Sequence, residues 1–153
     1  MSALGWFHMA CALMALGSGA AVLLRRKGDR AHRRLGWVYV ASMLLLNATA
    51  LMIYRLFGGF GPFHAAALIS LATVIAGIVP PVRRRPANWV EHHYQWMTWS
   101  YVGLCAAAVS EAGTRVPGFR FWWAVLAGTF IVIGVGATLI RRRAAALLAP
   151  VQR

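Results

Sequence analysis

The sequence predicts an all-α integral membrane protein, a bundle of five transmembrane helices, from three features. Its 153 residues are 60% hydrophobic and only 12% charged, whereas soluble domains carry about 25% charged residues. The apolar residues form long runs, each near the roughly 20 residues that a helix needs to cross a bilayer. The 16 Lys and Arg stand in short clusters between these runs. Since lipid offers the backbone no hydrogen-bond partner, such runs must be helical, and they are too uniformly apolar for barrel strands.

Composition also excludes several classes of protein. The apolar content is too high for a disordered chain, and two cysteines are too few for a disulfide scaffold. Cys11 and Cys105 each lie within an apolar run without a second cysteine nearby. Because the positive charge is confined to the ends of the runs, no nucleic-acid partner is expected.

Five apolar runs define the predicted spans, and residues 1–153 form a single domain because no linker is long enough to separate two. The first run is interpreted as a retained span and not as a signal peptide, since its basic cluster follows the apolar residues. The predicted spans are 3–24, 35–57, 63–82, 94–114 and 121–140.

The basic clusters predict the orientation, because cytoplasmic loops of membrane proteins carry an excess of Lys and Arg. Every Lys and Arg except Arg55, Arg115 and Arg120 follows span one, follows span three or lies in the C-terminal tail. With five spans, these three regions share one side. We therefore expect an outside N-terminus and a cytoplasmic C-terminus in the inner (cytoplasmic) membrane, with the basic loops binding anionic lipids of the inner leaflet.

Histidines and a few other ionisable residues stand at the span ends, where their cost in lipid calls for an explanation. The inner face receives His32, His92 and His93. The outer face receives His8 and His64 together with Glu111 and Arg115.

Helical spacing places several of these residues on common faces. In span four the face contains His93, Met97, Tyr101, Leu104, Ala108, Glu111 and Arg115. In span two, if the helix begins early enough, it contains His32, Gly36, Tyr39, Met43, Asn47, Ala50 and Tyr54. We expect both faces to line the bundle interior. Span one carries a small-residue face suited to close helix packing: His8, Ala12, Ala15 and Gly19. Span five has Gly128, Gly134 and Gly136 and no buried charge, and we interpret these glycines as packing residues.

The order and spacing of these residues also resemble a known pattern. His32-Arg33 with Gly36 opens span two, and His93-x-x-x-Met97 with Ser100-Tyr101 opens span four. With His8, Phe63-His64 and the stretch 111–115, this arrangement resembles a family of bacterial multi-spanning membrane proteins, a domain of unknown function, over residues 8–117. The resemblance implies a helical membrane protein and marks these histidines, but it implies no activity.

The histidine pairs predict a redox cofactor for electron transfer, because imidazole side chains from facing helices hold haem or transition metals. The inner pair is His32 with His93, and the outer pair is His8 with His64. This layout resembles that of transmembrane b-type cytochromes, and b-type haem is the expected cofactor. Met97 is a candidate ligand, and Arg115 a candidate partner of a haem propionate.

Other interpretations stay open. Zinc or copper at His8, His64 and Glu111 would suit chemistry on a lipid or quinone substrate, so the sequence does not decide whether the chain is an enzyme. Glu111 and Arg115 also have the spacing of a structural ion pair, and Met97 that of a core residue. The protein is alternatively a non-catalytic subunit or assembly factor among other membrane subunits, or a proton or small-solute carrier.

Overall fold

The computed structural model describes residues 2–54, 58–118 and 120–148. These residues form five α-helices and no strand, which confirms the all-α class. The helices are α1 (Ala3–Leu24), α2 (Arg30–Leu51), α3 (Pro62–Arg83), α4 (Trp89–Thr114) and α5 (Phe121–Leu148). Arg55 and the predicted end of span two at residue 57 lie outside the described residues.

Within this described part of the chain, four helices are long and apolar enough to cross a membrane. They are α1, α2, α3 and the segment Phe121–Ala144 of α5. By the same test of length and apolar composition, α4 falls short, because polar and ionisable residues interrupt its apolar sequence.

Helices α2 and α4 begin five residues before the predicted spans, and for α2 the start is determined by a side-chain cap. The side chain of Asp29 accepts a hydrogen bond from the backbone N–H of His32 at 2.6 Å, the arrangement of an N-cap. The basic stretch that contains His32 is therefore helical, as the predicted face of span two requires. Tyr54, the last residue predicted for that face, lies beyond the end of α2 at Leu51.

The chain divides into two compact units, an N-terminal unit over Met1–Ile75 and a C-terminal unit over Ala76–Arg153. The division falls within α3, and each unit is described by itself. A single domain over residues 1–153 stays a prediction.

In the N-terminal unit, α1 and α2 pack against each other through small and polar residues. Cys11, Ala15, Ser18 and Gly19 are the buried residues of α1, which agrees with its predicted small-residue face. Three residues of the predicted face of α2 are buried as expected: Tyr39, Met43 and Asn47.

In the C-terminal unit, α4 and α5 run antiparallel and approach closely where α5 has glycine. A Cβ atom on Gly128 would lie 3.1 Å from Ser110 Oγ, and one on Gly136 would lie 2.5 Å from Val102 Cγ2. The predicted packing role is confirmed for these two glycines. Gly134 has no such neighbour within 4 Å.

Candidate functional site

The best-defined histidine site begins with a proline in α3. Pro81 lies inside this helix and has no N–H, so the carbonyl of Gly77 lacks its usual helical donor. His93 of α4 supplies one, with its Nδ1 atom 2.7 Å from the Gly77 carbonyl oxygen. Because a carbonyl only accepts, Nδ1 must carry the proton, and the neutral ring then has its lone pair on Nε2.

Met97 lies one turn after His93 and contacts the same residue of α3. A Cβ atom on Gly77 would lie 2.5 Å from Met97 Sδ and 3.2 Å from the Met97 backbone nitrogen. The spacing His93-x-x-x-Met97 therefore brings both side chains onto Gly77, and glycine permits the close approach. Met97 serves as a packing residue here, and its role as a ligand stays a prediction.

His8 of α1 forms a hydrogen bond with a hydroxyl group of α2 and not with a carbonyl. Its Nδ1 atom lies 2.9 Å from Thr49 Oγ1 of α2. The Thr49 hydroxyl also lies 2.9 Å from the carbonyl oxygens of Leu45 and Leu46, so its one hydrogen has three acceptors within reach. Because a hydroxyl both donates and accepts, this bond joins α1 to α2 without fixing the tautomer of His8.

His64 has the tautomer opposite to that of His93. The backbone N–H of Gly61 donates to its Nδ1 at 3.0 Å, so in the neutral ring the proton is on Nε2. This bond is the N3-to-N-cap half of a capping box at the start of α3. The side chain is 3% exposed and stacks on Tyr54 and Phe60, with ring centroids 4.6 and 5.3 Å apart.

His32 and His92 are half-buried residues of the first turns of α2 and α4. His32 belongs to the N-terminal unit and His93 to the C-terminal unit, and their pairing stays a prediction. The contacts described for His8 and His64 are with different residues of the N-terminal unit, and this pairing stays a prediction as well.

Glu111 and Arg115 form an ion pair on α4, as their spacing predicts. Their side chains are 42% and 56% exposed, so the pair resembles a surface ion pair more than a buried one. Among the described residues, no group of three or more His, Cys, Asp or Glu side chains has the arrangement of a metal site. The ligand set of His8, His64 and Glu111 stays a prediction.

The comparison with known proteins agrees with the apolar helices described above. A family model described as "Predicted membrane protein (DUF2306)" matches residues 5–149. The chain belongs to this family. The resemblance inferred from the sequence is thereby confirmed, and the chain is a membrane protein with several apolar helices. No curated protein and no solved structure matches it.

In this family member, sequence reasoning found the histidines but missed the residues that orient them. Gly77 precedes Pro81 by four positions, the spacing of an unpaired helical carbonyl. Pro62 at the start of α3 makes His64 the third helical residue, which could have identified its capping role. Thr49 carried no comparable signal, since a threonine in a helix usually bonds its own preceding turn.

Proposed function

We propose that this membrane protein binds b-type haem through histidine imidazoles and transfers electrons within the membrane. The observation that supports this most directly is the hydrogen bond from His93 Nδ1 to the Gly77 carbonyl. Metal-binding histidines almost always donate their second ring N–H to a carbonyl or carboxylate, which orients the ring and raises the basicity of the ligating nitrogen. His93 has this second bond and the tautomer suited to ligation through Nε2.

His32 is the ligand that we propose to act with His93 at the inner face. Arginines flank His32 in the sequence, and guanidinium groups suit the anionic propionates of haem. Bound haem supplies one-electron chemistry, since its iron alternates between the ferric and ferrous states. The absence of a C-x-x-C-H sequence is consistent with non-covalent, b-type binding.

The outer pair of His8 and His64 is the second site in this proposal, and it has weaker support. The Nδ1 atom of His8 is held by the Thr49 hydroxyl, which orients the ring. His64 would have to release the Gly61 N–H before its Nε2 could present a lone pair. We therefore base the proposal on the inner pair.

We further propose that α4 is a fifth span, with the N-terminus outside and the C-terminus in the cytoplasm. Its 26 residues correspond to about 39 Å of helix, longer than a hydrocarbon core. Its hydroxyl groups have partners within the protein: Thr98 Oγ1 donates to the Tyr94 carbonyl at 2.7 Å, and Ser110 Oγ to the Val125 carbonyl at 3.2 Å. Polar groups satisfied in this way lower the cost of placing α4 in lipid.

Absorbance of the purified protein, expressed with haem available, tests the proposed function. We expect a Soret band and a reduced-minus-oxidised difference spectrum typical of b-type haem in the wild type. His93→Ala and His32→Ala should each remove most of this absorbance. His92→Ala is the matched control, because residue 92 is rotated by about 100° from residue 93 on the helix.

Two results would overturn the proposal. One is a wild-type protein that carries no haem although haem was supplied, and the other is equal haem content in His93→Ala and the wild type. Thermal unfolding of each variant, followed by circular dichroism, separates loss of haem from loss of the fold.

A further inference from the structure

We infer that His64 is the hydrogen-bond donor of a binding site for a quinone headgroup, next to the rings of Tyr54 and Phe60. This inference goes beyond the proposed function and does not depend on haem binding at His93. It rests on the hydrogen bonding of His64, its burial and the exposure of the two aromatic residues beside it.

The first step is the chemistry of the imidazole. Because Gly61 N–H donates to Nδ1, the neutral ring carries its proton on Nε2 and offers a donor there. Among the residues that the structure describes, Nε2 is buried without a hydrogen-bond partner. A buried donor without an acceptor is costly, so the ligand suited to this position brings an acceptor oxygen.

The second step is the shape of the surroundings. Tyr54 and Phe60 stack on His64 at interplanar angles of 29° and 30°. Both residues are nonetheless exposed, at 48% and 65%, and exposed aromatic residues favour contact with another planar ring. A quinone combines a planar ring with carbonyl oxygens at its edge, which matches both the stacking surface and the donor.

The third step is access to the buried nitrogen. Tyr54 and Phe60 lie between α2 and α3, outside both helices. The neighbouring Gly58 has a φ of +64°, and among the described residues no heavy atom outside the chain neighbours lies within 4 Å of a Cβ built on Gly58 or Gly59. The described part of this loop is therefore loosely packed on the N-terminal side of Phe60.

Binding of tetramethyl-1,4-benzoquinone to the full-length protein in detergent, measured by equilibrium dialysis, tests this inference. The fully substituted ring of this quinone avoids addition to the free thiols of Cys11 and Cys105. A short-chain phosphatidylglycerol is the competitor, since it offers carbonyl and phosphate oxygens without a planar ring. We expect saturable quinone binding that the lipid does not displace at equal concentration.

Two substitutions of His64 separate the donor from the helix cap. At the third position of a helix, the side chains of Glu and Gln both accept a hydrogen bond from the backbone N–H of the N-cap residue. An ionised Glu, unlike Gln, has no hydrogen-bond donor. We expect His64→Glu to bind the quinone about tenfold more weakly, the factor expected for one lost buried hydrogen bond. His64→Gln keeps an N–H donor and should bind more tightly than His64→Glu, while both variants retain helical circular dichroism.

Phe60→Leu provides a second measurement if His64→Glu fails to fold. It should weaken quinone binding several-fold, whereas Phe7→Leu, at an exposed phenylalanine of α1, should not. The inference is overturned if the wild type does not bind the quinone, if the lipid competes equally, if folded His64→Glu binds like the wild type, or if the two phenylalanine variants behave alike. The haem content of His93→Ala is a separate readout, so failure of one proposal is distinguishable from failure of the other.

Discussion

His93 and Gly77 are joined by a hydrogen bond of 2.7 Å between Nδ1 of the ring and the backbone carbonyl oxygen. The carbonyl is available because Pro81 lacks the N–H that would otherwise occupy it. The missing N–H in α3 thus leaves a carbonyl that orients the histidine of α4. Pro81 inside α3 and His93 inside α4 are each unfavourable when their helix is considered alone. The hydrogen bond between the two helices accounts for both residues.

Restoring the helical donor should release His93. Pro81→Ala supplies an N–H that competes with His93 for the Gly77 carbonyl, so we expect haem content to fall at least several-fold. The free energy of unfolding should stay equal or rise, since alanine is the better helix former. The ¹⁵N chemical shifts of the His93 ring report the tautomer directly, with or without haem.

Pro80→Ala is the control for this prediction. It restores a donor for the carbonyl of Ala76, to which the His93 bond does not extend. Equal effects of the two proline substitutions on haem content and ring shifts would contradict the role of Pro81.

Close contact between Gly77 and Met97 predicts a compensating pair of substitutions. Gly77→Ala places a Cβ 2.5 Å from Met97 Sδ, and we expect it to lower the free energy of unfolding by about 1–3 kcal/mol. Adding Met97→Ala relieves the overlap, so the double variant should lose less stability than the two single effects combined. Denaturant titration in mild detergent measures these differences.

Gly103→Ala is the matched control on α4, because no heavy atom beyond its own helix backbone and chain neighbours lies within 4 Å of a Cβ at this position. It should leave stability unchanged or raise it by up to about 1 kcal/mol. Additive effects of Gly77→Ala and Met97→Ala would show that the two residues do not interact.

Removing the hydroxyl of Thr49 should weaken the packing of α1 on α2. Thr49→Val keeps the shape but leaves His8 Nδ1 without its 2.9 Å partner, and we expect a loss of about 0.5–1.7 kcal/mol, as for hydrogen bonds between membrane helices. Thr49→Ser keeps the hydroxyl and should lose less. Thermal unfolding of both variants measures the two losses of stability. A larger loss for Thr49→Ser than for Thr49→Val would contradict the proposed bond.

The exposed ion pair of α4 should contribute little to stability. With side chains 42% and 56% exposed, Arg115→Gln should change the free energy of unfolding by less than about 1 kcal/mol. Its haem content should fall if Arg115 binds a propionate, as proposed from the sequence. Unchanged absorbance would limit Arg115 to the ion pair, and Arg120→Gln is the control for loss of a charge.

Labelling of single cysteines tests the orientation and the fifth span. In a background without Cys11 and Cys105, labels at Gly59 and Val116 should react from outside, and labels at Asn88 and Ala145 only from the cytoplasm. A cysteine at Gly59 fits without overlap, since nothing lies within 4 Å of its Cβ. Labelling of Asn88 and Val116 from the same side would show that α4 does not cross.

Most of the helices could be predicted, because hydropathy and helical period are local properties of the chain. The bounds of α1 agree with the predicted span, and those of α3 differ by one residue at each end. Helices α2 and α4 extend five residues before the predicted spans, since their first turns are polar and hydropathy does not indicate where a helix begins. The ion pair of Glu111 and Arg115 was also predictable, as it joins neighbours on one helix.

The sequence by itself determined the helical class, the apolar spans and the positions of the five histidines along them. Only the tertiary structure decided which nitrogen of His93 carries the proton, because its partner lies 16 residues away in the chain. A tautomer is set by the hydrogen bond that the other ring nitrogen makes. That partner is known only when helices have packed, so histidines that look alike in sequence acquire different chemistry: Nδ1 of His93 donates a hydrogen bond, whereas Nδ1 of His64 accepts one.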